Sequence, residues 1–365
     1  MLRKPHRIAA RQITERAINL KRKDYALTAA GLAMFVLLFV FAEDFSGGFS
    51  RGLACCAETV IPSMFPFLAA ASLAGAGELP PRIKRIAEPA ARRLFKLPAE
   101  GLTAVVIGLF GGYLAGTKAA QALYSSGRIT QSQAQRAAMF CICPGIGFSV
   151  TAVGGVMLGS KEAGKIILIS VSLAAVILGA VCGLFPDNSE KSTPVLKEKP
   201  TFSQAVVSGV SSSAAAMLTA CAFIAFFSGI TAVIDKRIAS ESAGALISCL
   251  LEITGGCASA AGRASLPLIC AACAFGGVCV HLQIFAVAGK VGIKILPFYI
   301  CRILHALLSF AICVFIIKLF PMSESVFLPI SKNAALWSFS APASVSLLLL
   351  SALLILDLDN GKKMC

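Results

Sequence analysis

The chain has 365 residues, 57% of them hydrophobic and 14% charged, against roughly 45–50% apolar and 25% charged in a soluble domain. That balance excludes a soluble globular protein and points to an integral membrane protein. The net charge of +15 would suit nucleic acid, but eight Lys/Arg fall in residues 1–24 and six in 82–96. Both groups flank apolar runs, so membrane topology accounts for them and no nucleic-acid partner is expected.

Apolar stretches long enough to cross about 30 Å of hydrocarbon recur at 25–42, 52–77, 141–159, 163–186, 205–234, 266–289, 295–320 and 334–356. Two more, 101–127 and 243–263, are interrupted by Gly and polar residues. Each long run satisfies its own backbone only as a helix, so the expected class is an all-α polytopic membrane protein.

In chain order, residues 1–24 form a basic tail, placed in the cytoplasm by the positive-inside rule. Residues 25–58 supply an anchor span and an outer loop. The sequence "FVFAEDFSGG" offers no small-residue cleavage site, so the span is read as a retained anchor rather than a signal peptide. A first repeat covers 59–186. It starts with an apolar span (59–77) and a basic amphipathic segment (80–97), in which Arg82, Lys84, Arg85, Arg92 and Arg93 alternate with Ile83, Ile86, Leu94 and Phe95. Such a segment lies in the headgroup plane. The short run "GLTAVVIGLF", the pair Gly111-Gly112 and the second run "TKAAQALYSS" then predict a re-entrant hairpin over 101–127, with Lys118 opening its second arm. Thr130 is placed to cap a helix over 130–159 that breaks at Pro144, Gly145 and Gly147.

A polar linker (187–204) leads to a second repeat over 205–320 with the same order of parts. Its hairpin (243–263) turns at Thr254-Gly255-Gly256, and its helix (266–289) breaks at Gly276-Gly277. Residues 321–365 contain the last span. Counting crossings from a cytoplasmic N-terminus brings the two hairpins in from opposite sides, so the repeats are inverted. Paired broken helices in inverted repeats are the pattern of a secondary transporter whose site lies at the bilayer midplane.

Broken helices leave backbone groups that only protein, water or ligand satisfies at membrane depth, and their N-termini suit anions. The candidate site therefore comprises Gly111, Gly112, Thr117 and Lys118 from the first hairpin, and Glu252, Thr254, Gly255, Gly256 and Arg263 from the second. Gly276, Gly277, His281 and Gln283 join it from the second broken helix. Lys118 and Arg263 occupy matching arms and supply positive charge. Glu252 is placed to pair with either of them, or to carry a coupling proton or sodium ion. Arg302 and His305, one turn apart, are accessory candidates.

Most of the fourteen cysteines sit within spans and read as small packing residues. "CAAC" (270–273) has metal-like spacing without a partner set, so no metal is expected, and no cofactor or catalytic motif is evident. The chain is not expected to be an enzyme.

The segments "EPAARRLFKLPAEG" (88–101), "GGYLAGTK" (111–118), "SSGRITQSQAQR" (125–136), "LLEITGG" (250–256) and "FGGVCVHLQIFAVAG" (275–289) resemble the YlbJ (SpoVV) family of sporulation integral membrane proteins. That family is built from Gate, or nucleoside-recognition, repeats related to concentrative nucleoside transporters. The chain departs from the family pattern at Leu114, where Pro is usual, and at Cys143, where Asn is common. The resemblance implies a concentrative-nucleoside-transporter-like fold and transport of dipicolinate, a planar aromatic dicarboxylate, at the cell membrane or outer forespore membrane of an endospore-forming bacterium. Two alternatives stay open: a carrier of nucleosides or other neutral metabolites, and a non-transporting membrane scaffold of a sporulation complex. The oligomeric state also stays open, a homo-oligomer included.

Overall fold

The structure is a computed structural model that describes residues 25–184 and 201–320. The basic tail, most of the linker and the span expected at 334–356 lie outside the described residues. Among the described residues every regular element is helical. Five helices are long and apolar enough to cross a membrane, or six if a bent pair counts as one span. The chain is an all-α, multi-pass membrane protein.

Helix α1 (Tyr25–Val40), where an anchor span was expected at 25–42, is a shorter apolar helix, and α2 (Ala42–Ala76) is the first of the five long enough to cross. Helix α2 thus starts ten residues before the apolar run expected at 52–77 and takes in the expected outer loop. Its 35 residues and the 34 of α9 (Phe202–Asp235) give two rods of about 50 Å, longer than a bilayer core. They run antiparallel. Asp44 pairs with Lys236 and Arg237 at one end, the Cys56 thiol donates to the Cys221 carbonyl partway along, and Ser72 meets Ser213 at 3.1 Å near the other. Gly48 and Gly52, one turn apart, lie against Ala225, Ser228 and Gly229. Lipid supplies no hydrophobic force between helices, so this seam holds by close backbone packing of small residues. Within the last residues of the expected linker, Thr201 and Gln204 form a reciprocal capping box that starts α9 three residues before the expected 205.

Helix α3 (Pro81–Phe95) meets α4 (Ala99–Gly111) at 76°. Helix α4 turns back at Gly112 into α5 (Tyr113–Ser125). Helix α6 (Gln131–Phe140) starts at the Thr130 cap expected from sequence, completed as a capping box by Gln133. It ends in the non-helical stretch 141–144, and α7 (Gly147–Met157) follows with π-type winding. The break therefore opens at Cys141, three residues before the expected Pro144. Proline lacks an N–H and disfavours helix in the residue before it, so its effect reaches upstream.

Helix α8 (Lys161–Leu184) closes the first half. In the second, α10 (Glu241–Leu251) and α11 (Ile253–Ala260) pack as a pair. Helix α12 (Leu266–Phe275) and α13 (Gly277–Ala288) are separated by Gly276, and α14 (Ile295–Leu319) ends the described chain. The expected break at Gly276-Gly277 is present, with φ of 89° and 76°.

The two short helix pairs attach at opposite ends of the α2/α9 rods. Arg128 and Ser126, at the base of α4/α5, donate to the carbonyls of Ala76 and Gly75 at 2.8 and 3.3 Å. Only the short stretch 236–240 joins the C-terminal end of α9 to the start of α10, and Ser248, one turn before the α10/α11 turn, donates to Asp235 at that end. Tyr113 at the first turn lies nearest Gly276, and the neighbouring Gly277 lies against Leu251 and Ile253 at the second, so both turns meet the α12/α13 break.

Candidate functional site

Each turn lies against a helix break. Gly112 adopts φ 106°, ψ 169°, a conformation a side chain would strain. Its backbone is packed so closely on Gly145 that a Cβ added to Gly145 would come within 2.4 Å of the Gly112 nitrogen. Behind the turn, Gly108 and Gly116 leave room for the Cys141 carbonyl, which an added Cβ at either would approach to 2.0 or 2.2 Å. The second turn repeats the arrangement. A Cβ on Gly277 would lie 2.9 Å from the Cys249 carbonyl and 3.4 Å from the Ile253 nitrogen.

Tyr113 links the two halves and was not among the residues expected from sequence. Its hydroxyl donates to the Cys273 carbonyl at 2.8 Å, and its ring meets Phe148 edge-on at 5.8 Å. Its ring carbons also lie nearest the open face of Gly276. The first turn, the first break and the second break thus meet at one buried aromatic. An aromatic directly after a Gly-Gly turn was the available signal, since a buried tyrosine hydroxyl normally finds a partner.

The second turn falls at Glu252, two residues before the expected Thr254-Gly255-Gly256. The carboxylate accepts from the Thr254 and Gly255 amides at 2.8 and 2.6 Å. It thereby satisfies two of the orphan donors at the start of α11 and lets the helix begin at Ile253. Thr254, Gly255 and Gly256 are the first turn of that helix, with Gly256 pressed on Cys249. Glu252 is 1% exposed and forms no ion pair with Lys118 or Arg263.

Lys118 lies five residues inside α5 rather than at its start, because α5 begins at Tyr113. It is 9% exposed, and among the described residues no hydrogen bond or ion pair engages its ammonium. The neighbouring Thr117 hydroxyl is likewise buried without a partner, as is that of Ser149 beside Phe148. Thr117 stands one turn from Tyr113, on the same face.

Arg263 corrects the expected symmetry. Helix α11 stops at Ala260, so Arg263 lies in the following turn, not in a hairpin arm. There it is half-exposed and pairs with Glu241 at 3.0 Å while donating to the Ser259 carbonyl. The two expected cations are not brought together.

The remaining candidates spend their polar atoms on the breaks. His281 shares a 2.7 Å hydrogen bond with the Phe275 carbonyl, the last carbonyl of α12, and is ringed by Phe275, Phe298 and Tyr299 at 4.7–5.2 Å. Its Nδ1 has no partner. Gln283 donates to the Cys279 sulfur. Arg302 is fully buried. It donates to the carbonyls of Ile142, at 2.9 Å, and of Met139, which the end of α6 leaves free. A cation there also meets the negative end of the helix dipole. Nδ1 of His305 lies 3.2 Å from Arg302, and Nε2 lies 2.9 Å from the Val171 carbonyl. Because a carbonyl only accepts, the hydrogen sits on Nε2 and Nδ1 accepts from Arg302.

The described cysteines are free thiols. The two of "CAAC" diverge: Cys270 donates to the Ser309 carbonyl, whereas Cys273 faces Cys257 at 3.7 Å. No group of three or more His, Cys, Asp or Glu among the described residues is placed to hold a metal ion.

No family model, curated protein or solved structure matches the chain.

Proposed function

We propose that the chain is a secondary-type transporter of a small organic anion, with dipicolinate, carried during endospore formation, as the substrate the family resemblance names. The observation that carries this reading is the adjacent pair Lys118 and Thr117, both buried and both without a partner among the described residues. A cation inside a span costs at least about 2.5–3.5 kcal/mol on insertion scales, and such residues normally face a cavity or pathway. An anion held by the ammonium and the hydroxyl offsets that cost when it binds.

The attachment of α4/α5 near Ala76 and of α10/α11 near Asp235 supports reading them as re-entrant hairpins of two inverted repeats. Rocking of one repeat against the other then exposes the centre to alternate sides. In this reading the N-terminus is cytoplasmic, and Glu252, buried without a cationic partner, is where a coupling proton or sodium ion acts. Uptake of labelled dipicolinate into liposomes holding the purified protein tests the proposal. Uptake that vanishes in Lys118→Met supports it, and undiminished uptake in that variant contradicts it.

A second reading, a carrier of nucleosides or other neutral planar metabolites, is favoured by one observation. Arg263 is engaged with Glu241 away from the centre, which leaves fewer cations there than a dianion would use. Displacement of a bound nucleoside by other nucleosides, but not by dicarboxylates, selects it.

A further inference from the structure

Helix α3 presents two faces with different fates. Toward the protein, Lys84 pairs with Glu100 at 2.7 Å, and Glu88 accepts from the Ala99 amide at 2.7 Å while pairing with Arg92. Both contacts fall on the first turn of α4, so α3 supplies the cap and the ion pair that start the first helix pair. Toward the outside, Arg82, Arg85 and Arg93 are exposed and have no partner among the described residues. Ile83 and Ile86, 51% and 79% exposed, lie beside them.

At 100° per residue, Arg82 and Arg85 form one stripe and Ile83 and Ile86 the adjoining one. That pairing of a cationic stripe with an apolar stripe matches the boundary between headgroups and acyl chains, where basic residues draw anionic lipid. The bend of 76° between α3 and α4 sets α3 across the direction of the hairpin, as a helix lying in the membrane surface requires.

We infer that α3 is a docking surface for anionic phospholipid, and that lipid bound there stiffens the base of α4 through Glu88 and the Lys84–Glu100 pair. The lipid phosphate neutralises Arg82, Arg85 and Arg93, which otherwise repel one another. Seating the helix holds Glu88 against the Ala99 amide. The composition of the leaflet thereby biases the first helix pair, independently of what substrate the centre takes.

The test uses full-length protein in vesicles of phosphatidylcholine alone and of phosphatidylcholine with phosphatidylglycerol, read by backbone hydrogen exchange at residues 99–103. The expected result is about ten-fold slower exchange in the anionic vesicles. The combined substitution Arg82→Gln, Arg85→Gln, Arg93→Gln removes that difference while leaving the melting temperature unchanged, since those side chains are exposed. Glu88→Gln keeps lipid association and loses the protection. Equal exchange in both compositions overturns the inference, as does a full response in the triple variant. So does protection reproduced in neutral vesicles by inorganic phosphate, which would make the surface a reader of soluble anions.

Discussion

The two short helix pairs share a plan and differ in how their charges are used. In the second, the charge at the turn is satisfied by its own neighbours, with Glu252 capping α11 through the Thr254 and Gly255 amides. In the first, the turn carries no side-chain cap, and its support comes from far along the chain. Tyr113 reaches Cys273, and the break on which the turn rests is held by Arg302 from α14. Its charge, Lys118, is left unspent. A buried charge that is satisfied locally stabilises the fold, whereas one left without a partner costs stability and is available to a ligand.

Four substitutions break or sharpen that comparison, in descending size of effect. Arg302→Met strips the cation from the Met139 and Ile142 carbonyls and from His305. Stability should fall by about 3 kcal/mol, because removing one partner leaves buried acceptors without donors. The midpoint of denaturant unfolding in detergent reads this, and Arg302→Lys should recover part of the loss. Glu252→Ala removes the cap from two buried amides and should cost about 2 kcal/mol, seen as a lower melting temperature and faster exchange at Thr254 and Gly255. Lys118→Met should go the other way. Replacing an unpaired buried ammonium with an apolar chain of similar length should raise stability by roughly 1–2 kcal/mol in ligand-free protein. Arg263→Gln breaks an exposed ion pair and should shift stability by less than about 1 kcal/mol, with substrate uptake unchanged. A large loss of uptake there would restore Arg263 to the site.

Features set by local backbone chemistry were legible in the sequence. Thr130 marked a helix start, Gly111-Gly112 and Gly276-Gly277 marked places where the chain turns or breaks, and Pro144 marked a third. Each depends on a side chain within a few residues of the backbone it affects. The fates of Lys118 and Arg263 were not legible, because both followed a Gly-Gly pair by about two turns. What separates them is that α5 runs on beyond Lys118 while α11 stops at Ala260, and that Glu241 stands beside Arg263 at the far side of its pair. His281, Arg302 and His305 looked like ligand residues because polar groups in apolar helices are costly. Their acceptors are backbone carbonyls of the breaks and of α8, and Arg302 and His305 find theirs more than a hundred residues away in sequence. Even the lengths of α2 and α9 exceeded the apolar runs, since hydropathy marks the lipid-facing part of a helix and not its continuation into water.

The central claim, that Lys118 carries an unspent charge for an organic anion, is tested most directly by the melting temperature of the purified protein. Wild type and Lys118→Met are compared with and without dipicolinate. The account predicts that the variant melts higher than wild type without ligand, and that dipicolinate raises the wild-type value in a concentration-dependent way while leaving the variant unmoved. A variant that melts lower than wild type and still responds fully to dipicolinate would contradict it.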